Sequence, residues 1–254
     1  MHFVEDPAIA REVGADLLST LEDAVLPEGE CAKCGNSLGS GALRWSFEEL
    51  PDSAVIAATH AACGPLELRR GIFTSFPDQS WHAEVIGLES VEERTRRRWW
   101  GRKGTTTSQT YVPCLVISPT CDVFYLSRSA AGGWRSPVQD LLLEGFTSFD
   151  PMTFASGTTP STVTAQWANP RFSVTIDGTK TYWVEEPPDG TAGTYGVANM
   201  IRRVGGVLLI VTHAASERLL LHHTQTHEER TQMLTSPHTA VAWVLASDIA
   251  GLNS

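Results

Sequence analysis

Cys31-Ala-Lys-Cys34-Gly35 is followed by His60-Ala-Ala-Cys63, with 25 residues between Cys34 and His60. Two residues between ligands let a tight turn aim two side chains at one tetrahedral ion, and Gly35 frees the backbone to make that turn. Thiolates and an imidazole suit Zn2+, and four protein ligands close the coordination sphere against substrate. The expectation is one structural Zn2+ on Cys31, Cys34, His60 and Cys63. The chain has five cysteines. An odd number suits a disulfide framework poorly and favours reduced thiols with a metal.

These ligands and their order resemble the treble-clef family of zinc fingers, over residues 31 to about 70. The resemblance implies that a knuckle supplies Cys31 and Cys34, a hairpin follows, and a helix start supplies His60 and Cys63. Pro65 fits that implication only if the helix begins there. The family serves nucleic-acid binding, protein binding and structural bracing, so the resemblance does not select among them.

Other residues could do chemistry. Arg94, Arg96, Arg97, Arg98, Arg102 and Lys103 surround Trp99 and Trp100; arginines can hold phosphates or carboxylates while an indole stacks. Ser90 with Glu93 could cap a helix whose basic end favours the negative pole. Equally, the segment could be a solvated turn paired with Glu89, Glu92 and Glu93. His82-Ala83-Glu84 lies 28 residues before Pro113-Cys114. This is similar to the nucleobase and nucleoside deaminases, and implies His82, Cys114 and a second cysteine as zinc ligands, with Glu84 as proton shuttle at a helix start. Six residues, not two, separate Cys114 from Cys121, so the bland alternative is a strand residue and two buried cysteines. His222, His223 and His227 form a cluster, but Thr224 stands where a zinc protease needs Glu after the first His. Cys121 with Asp122 and a remote His213 could be written as a nucleophile dyad, with no geometry to support it. No phosphate-cradling glycine loop and no G-x-S-x-G elbow occurs.

The elements that must position these groups read as follows. Residues 7–26 have apolar side chains at helical steps (Ile9, Val13, Leu17, Leu21), with Asp6 as cap and Pro7 at the first position. Leu43–Phe47 and Ala54–Thr59 read as strands around Pro51 and Asp52. Gly71–Gln79 is the expected boundary between an N-terminal helix plus zinc module (residues 1–75) and a β-rich domain (76–254). In the latter, Thr110–Ile117, Asp122–Arg128, Gly206–Thr212 and Leu219–His223 read as strands, and Pro137–Gly145 as a short helix. Pro187–Gly193 reads as a loop, and Ala240–Ile249 as an apolar element of either type. Arg171–Glu185 reads as a hairpin turning at Asp177–Gly178. The expected class is α+β, mainly antiparallel.

Composition bounds what such a protein can do. The chain has 254 residues, 42% of them hydrophobic and 19% charged, enough for a real core and too few charges for global disorder. No apolar run approaches the roughly 20 residues of a membrane span. The opening MHFVEDP is acidic where a secretory leader would be basic, so a cytoplasmic location is expected. Net charge is -10, which argues against coating DNA or an anionic membrane. Two functions follow as expectations. The first is a non-enzymatic zinc-containing binding or assembly protein, docking an acidic protein surface or another copy of itself through Arg96, Arg97, Arg98, Trp99 and Trp100, with nucleic acid less favoured. The alternative is a zinc-dependent enzyme with a deaminase-like site in the C-terminal domain.

Overall fold

The computed structural model describes residues 1–25, 29–51, 53–64, 81–97, 103–119, 123–130, 132–150, 156–168, 171–178, 180–185, 196–212, 234–235 and 239–252. They form a mixed α+β protein that divides into two compact units. The first comprises Met1–Ala83, Ile117–Phe149 and Ile210–Val241, the second Glu84–Val116, Asp150–Leu209 and Ala242–Ser254.

In the first unit, strand β1 (His2–Phe3) leads into helices α1 (Pro7–Val13) and α2 (Ala15–Ala24). Asp6 caps α1 by accepting the amides of Ala8 and Ile9 at 3.0 and 3.4 Å. The single helix expected over residues 7–26 is thus two. Gly14 stands between them with φ 94° and ψ 135°, outside helical space and in a region costly to residues with a Cβ. The periodicity conceals this break because both helices present the same buried row, Val13, Leu17 and Leu21.

Strands β2 (Ala42–Glu49) and β3 (Ser53–His60) follow as expected, antiparallel, with Trp45 opposite Ala58 and Phe47 opposite Ile56. Strand β6 (Val123–Arg128) pairs with β3, and β7 (Trp134–Arg135) with β6, giving the order β1-β2-β3-β6-β7. Period-two alternation puts Leu43, Trp45, Ala54, Ile56, Ala58, Phe124 and Leu126 into one cluster with Leu17, Leu18 and Leu21 of α2. Trp45 stacks on Phe3 at 4.5 Å and meets Phe124 edge-on. Cys31 and Leu38 belong to the same cluster, and Cys63 packs against it. Helix α3 (Pro137–Leu143) opens on a capping box, Ser136 with Gln139, that the sequence reading did not single out.

In the second unit, β8 (Val163–Ala168), β9 (Arg171–Ile176) and β10 (Lys180–Glu185) form an antiparallel meander, with the short β13 (Ile249–Ala250) parallel to β8. The β9–β10 connection turns through Asp177 and Gly178, both at positive φ (53° and 64°), as their residue types require. Helix α4 (Val197–Val204) ends at the left-handed Gly205.

A third sheet has the order β12-β11-β5-β4. Its strands are β4 (Trp81–Arg97), β5 (Lys103–Pro119), β11 (Gly206–Thr212) and β12 (Thr239–Leu245). β11 is buried along its whole length, which explains its unbroken apolar run. The segment Ala240–Ile249 is β12 followed by one 3-10 turn and β13.

Two sequence expectations are corrected by β4. Ser90 and Glu93 do not open a helix, and His82-Ala83-Glu84 is not a helix start, because all five lie within this strand. Strand pairing with β5 overrides the local helix signals of an Arg- and Glu-rich segment. The expected boundary Gly71–Gln79, the Leu219–His223 strand and the Pro187–Gly193 loop lie outside the described residues.

Candidate metal centre

The centre is built by three short backbone devices around the end of β3. In the first, the chain reverses through Cys31–Gly35. The Gly35 amide donates to the Cys31 carbonyl at 2.8 Å, the Cys31 amide donates to the Asn36 carbonyl at 2.8 Å, and Gly35 takes φ 70°. This knuckle is fixed to the sheet by the Ala32 amide, which donates to the Ala58 carbonyl at 3.2 Å. In the second, β3 delivers His60 opposite Leu43. In the third, a 3-10 turn over Ala61–Cys63 brings back Cys63 and is ended by Gly64 at φ 71°.

Four donor atoms converge as a result: the sulfurs of Cys31, Cys34 and Cys63 and a ring nitrogen of His60 all lie within 4.8 Å of one another. Nδ1 of His60 is 3.5 Å from the Cys34 sulfur and 3.8 Å from that of Cys63. Zn–N and Zn–S bonds of about 2.05 and 2.3 Å at a tetrahedral angle make an N-to-S edge of about 3.6 Å. Both contacts match that edge. Nε2 of His60 is 3.0 Å from the Ser37 carbonyl oxygen. That oxygen can only accept, so Nε2 carries a proton, and Nδ1 is the ring atom that faces the sulfurs. A metal-binding imidazole needs this arrangement. The donor set and its outer partner therefore fit a tetrahedral thiophilic cation.

The electrostatics point the same way. Burial pushes the Cys31 thiol up, but the amides of His60, Cys34 and Lys33 aimed at its sulfur outweigh this and hold it below the usual cysteine range. The His60 amide reaches that sulfur at 3.4 Å. The Asn36 amide holds Cys34 down despite some desolvation. Cys63 goes the other way: desolvation and the neighbouring sulfurs of Cys34 and Cys31 push it up to about 11. Three thiolates this close repel one another, and a dication removes the conflict.

Burial is graded across the four donor residues. Cys31 is 1% exposed and lies in the hydrophobic cluster, His60 and Cys63 are half-buried, and Cys34 is exposed. The sequence spacing named all four residues of this cluster. It did not name Ser37, Asn36 or the amide donors, because backbone groups act there and carry no side-chain signature.

The remaining candidates are not gathered into any second cluster of metal-binding type among the described residues. Cys114 is buried in β5, its thiol donating to the Val112 carbonyl at 3.3 Å. Cys121, His213 and the cluster His222, His223 and His227 lie outside the described residues, as do Arg98, Trp99, Trp100 and Arg102. Arg94, Arg96 and Arg97 fall in β4 and Lys103 opens β5. No helix among the described residues is long and apolar enough to cross a membrane. No protein-family model, no curated protein and no solved structure matches the chain.

Proposed function

We propose that this chain is a non-enzymatic binding or assembly protein whose N-terminal part is braced by one structural Zn2+ on Cys31, Cys34, His60 and Cys63. One observation carries the reading: the four donors lie within 4.8 Å of one another, His60 Nδ1 stands 3.5 and 3.8 Å from two of the sulfurs, and the Ser37 carbonyl accepts a hydrogen bond from Nε2 on the far side of the ring. Zinc bound there has no position left for substrate and supplies cross-linking. It would tie the knuckle, the end of β3 and the 3-10 turn to a core that already contains Cys31 and against which Cys63 packs.

The succession of knuckle, β2–β3 hairpin and helical turn supports the treble-clef reading, with a single 3-10 turn where the family has a helix start. Binding is assigned to the basic segment around Arg96, Arg97, Arg98, Trp99 and Trp100. With a net charge of -10, an acidic protein surface or a second copy is favoured over nucleic acid.

Metal content tests the reading on the full chain. Protein expressed with ample metal should contain one zinc per chain, lost on Cys63→Ser. Protein without zinc by elemental analysis sinks the proposal. Two zinc ions per chain, one depending on His82 and Cys114, would favour a deaminase-like enzyme instead.

A further inference from the structure

The four ligands are not equally reachable, and they sit on separate pieces of chain. Cys34, on the knuckle, is exposed. Cys63, on the 3-10 turn, is half-buried, and its sulfur and that of Cys34 lie within the same 4.8 Å as all the donors. Cys31 is sealed in the core at 1% exposure. Oxidation of thiolates follows access as well as thiolate character. We infer that this centre is a peroxide-sensitive clasp: a hydroperoxide oxidises Cys34, Cys63 closes a disulfide onto it, and the metal leaves. The inference rests on the zinc reading above.

The chemistry balances. The Cys34 thiolate attacks one oxygen of hydrogen peroxide, breaking the O–O bond, and the departing hydroxide takes a solvent proton to become water. The resulting sulfenic acid is attacked at sulfur by the Cys63 thiolate. The S–S bond forms and the S–O bond breaks, releasing a second hydroxide that is again protonated by solvent. Two thiolates lose one electron each, and peroxide is the oxidant. Only Cys31 and His60 then remain, two donors where a structural zinc site needs four, so Zn2+ dissociates. The new bond joins the knuckle to the 3-10 turn while Cys31 stays in the core as a thiol. Cys31 is thereby spared by its burial, and reduction restores the full ligand set.

The full-length zinc-loaded chain tests this with a chromogenic chelator and peptide mapping. Hydrogen peroxide should release one zinc per chain and yield a Cys34–Cys63 disulfide, with Cys31 still alkylatable after unfolding. Dithiothreitol with added zinc should reverse both. Cys34→His keeps four ligands but offers no sulfur there, so zinc should be retained and its release slowed at least tenfold. Should that variant fail to hold zinc, the disulfide map of the unmodified chain decides alone. Zinc that stays bound through complete peroxide consumption overturns the clasp, and so does a first disulfide that includes Cys31. Either result leaves the structural zinc intact as a reading. Absence of zinc before any peroxide is added removes both.

Discussion

Metal-free protein near neutral pH keeps a proton on Cys63, because desolvation and the Cys34 and Cys31 sulfurs push that thiol up to about 11. On the zinc reading proposed above the metal takes the thiolate, so binding must expel this proton. The sign follows: a raised thiol pKa leaves the group protonated across the neutral range, and apparent affinity rises with pH by about tenfold per unit for each proton released. Calorimetric titration in buffers of different ionisation enthalpy should show at least one proton released per zinc. Heats independent of buffer would contradict this assignment. The grading of burial makes a second prediction at the same scale. On the zinc reading, Cys31→Ser removes a ligand and also puts a hydroxyl into the buried hydrophobic cluster to which Cys31 belongs, so it should cost at least about 4 kcal/mol, in the range kept for lost metal sites and buried unsatisfied groups. Cys34→Ser, at an exposed position, should lose zinc with a smaller drop. Denaturant unfolding of the two variants compares them directly, and equal losses would mean that Cys31 contributes only as a ligand.

Close packing between neighbouring strands can be tested at Gly206. A Cβ built there stands 2.5 Å from the Trp243 ring and 2.6 Å from the Val244 carbonyl oxygen. Because that oxygen is backbone, the strand itself would have to move, and Gly206→Ala should destabilise by about 1–3 kcal/mol or more. An unchanged thermal midpoint would show that β11 and β12 tolerate separation. The same pair of strands shows what a sequence can and cannot disclose. β11 was legible because an unbroken apolar run bounded by Gly205 and Thr212 has few other uses. The β2–β3 and β9–β10 hairpins were legible because alternation and turn residues agreed, down to the positive φ of Asp177 and Gly178. Gly14 was not, since the buried row of α2 continues that of α1 across the break. β4 was the hardest to read. Its last nine residues, Glu89–Arg97, include two Glu after Val91 and three Arg, which look like a capped helix locally and become strand only through pairing with β5, a nonlocal fact. Spacing pointed to the Cys31, Cys34, His60 and Cys63 cluster for the opposite reason: two close pairs of donor residue types in sequence have few other uses than to meet in space.

Over the whole molecule, charge is distributed by region rather than evenly. Residues 1–63 carry 11 acidic and 3 basic side chains, and residues 64–135 carry 7 acidic and 10 basic. Within the second group, Arg94, Arg96, Arg97, Arg98, Arg102 and Lys103 put six positive charges into ten residues, three of them in β4 and one at the start of β5. Glu89, Glu92 and Glu93 can neutralise at most half of these, and exposed pairs return only about 0–1 kcal/mol each. A positive excess therefore remains on a chain that is acidic elsewhere. The proposed partner, an acidic surface or a second copy of the chain, follows from this imbalance together with the role of Arg and Trp as residue types that anchor protein interfaces. Replacing Arg96, Arg97 and Arg98 by Ser should weaken self-association or capture of an acidic partner at least tenfold at low salt. The difference should narrow as ionic strength rises and the Debye length falls to about 10 Å or below. Zinc content should be unchanged, because none of the three residues is among the four clustered donors. Sedimentation velocity at two salt concentrations measures the effect. Identical behaviour of the variant and the unmodified chain would reduce the basic segment to a solvated surface with no partner of its own.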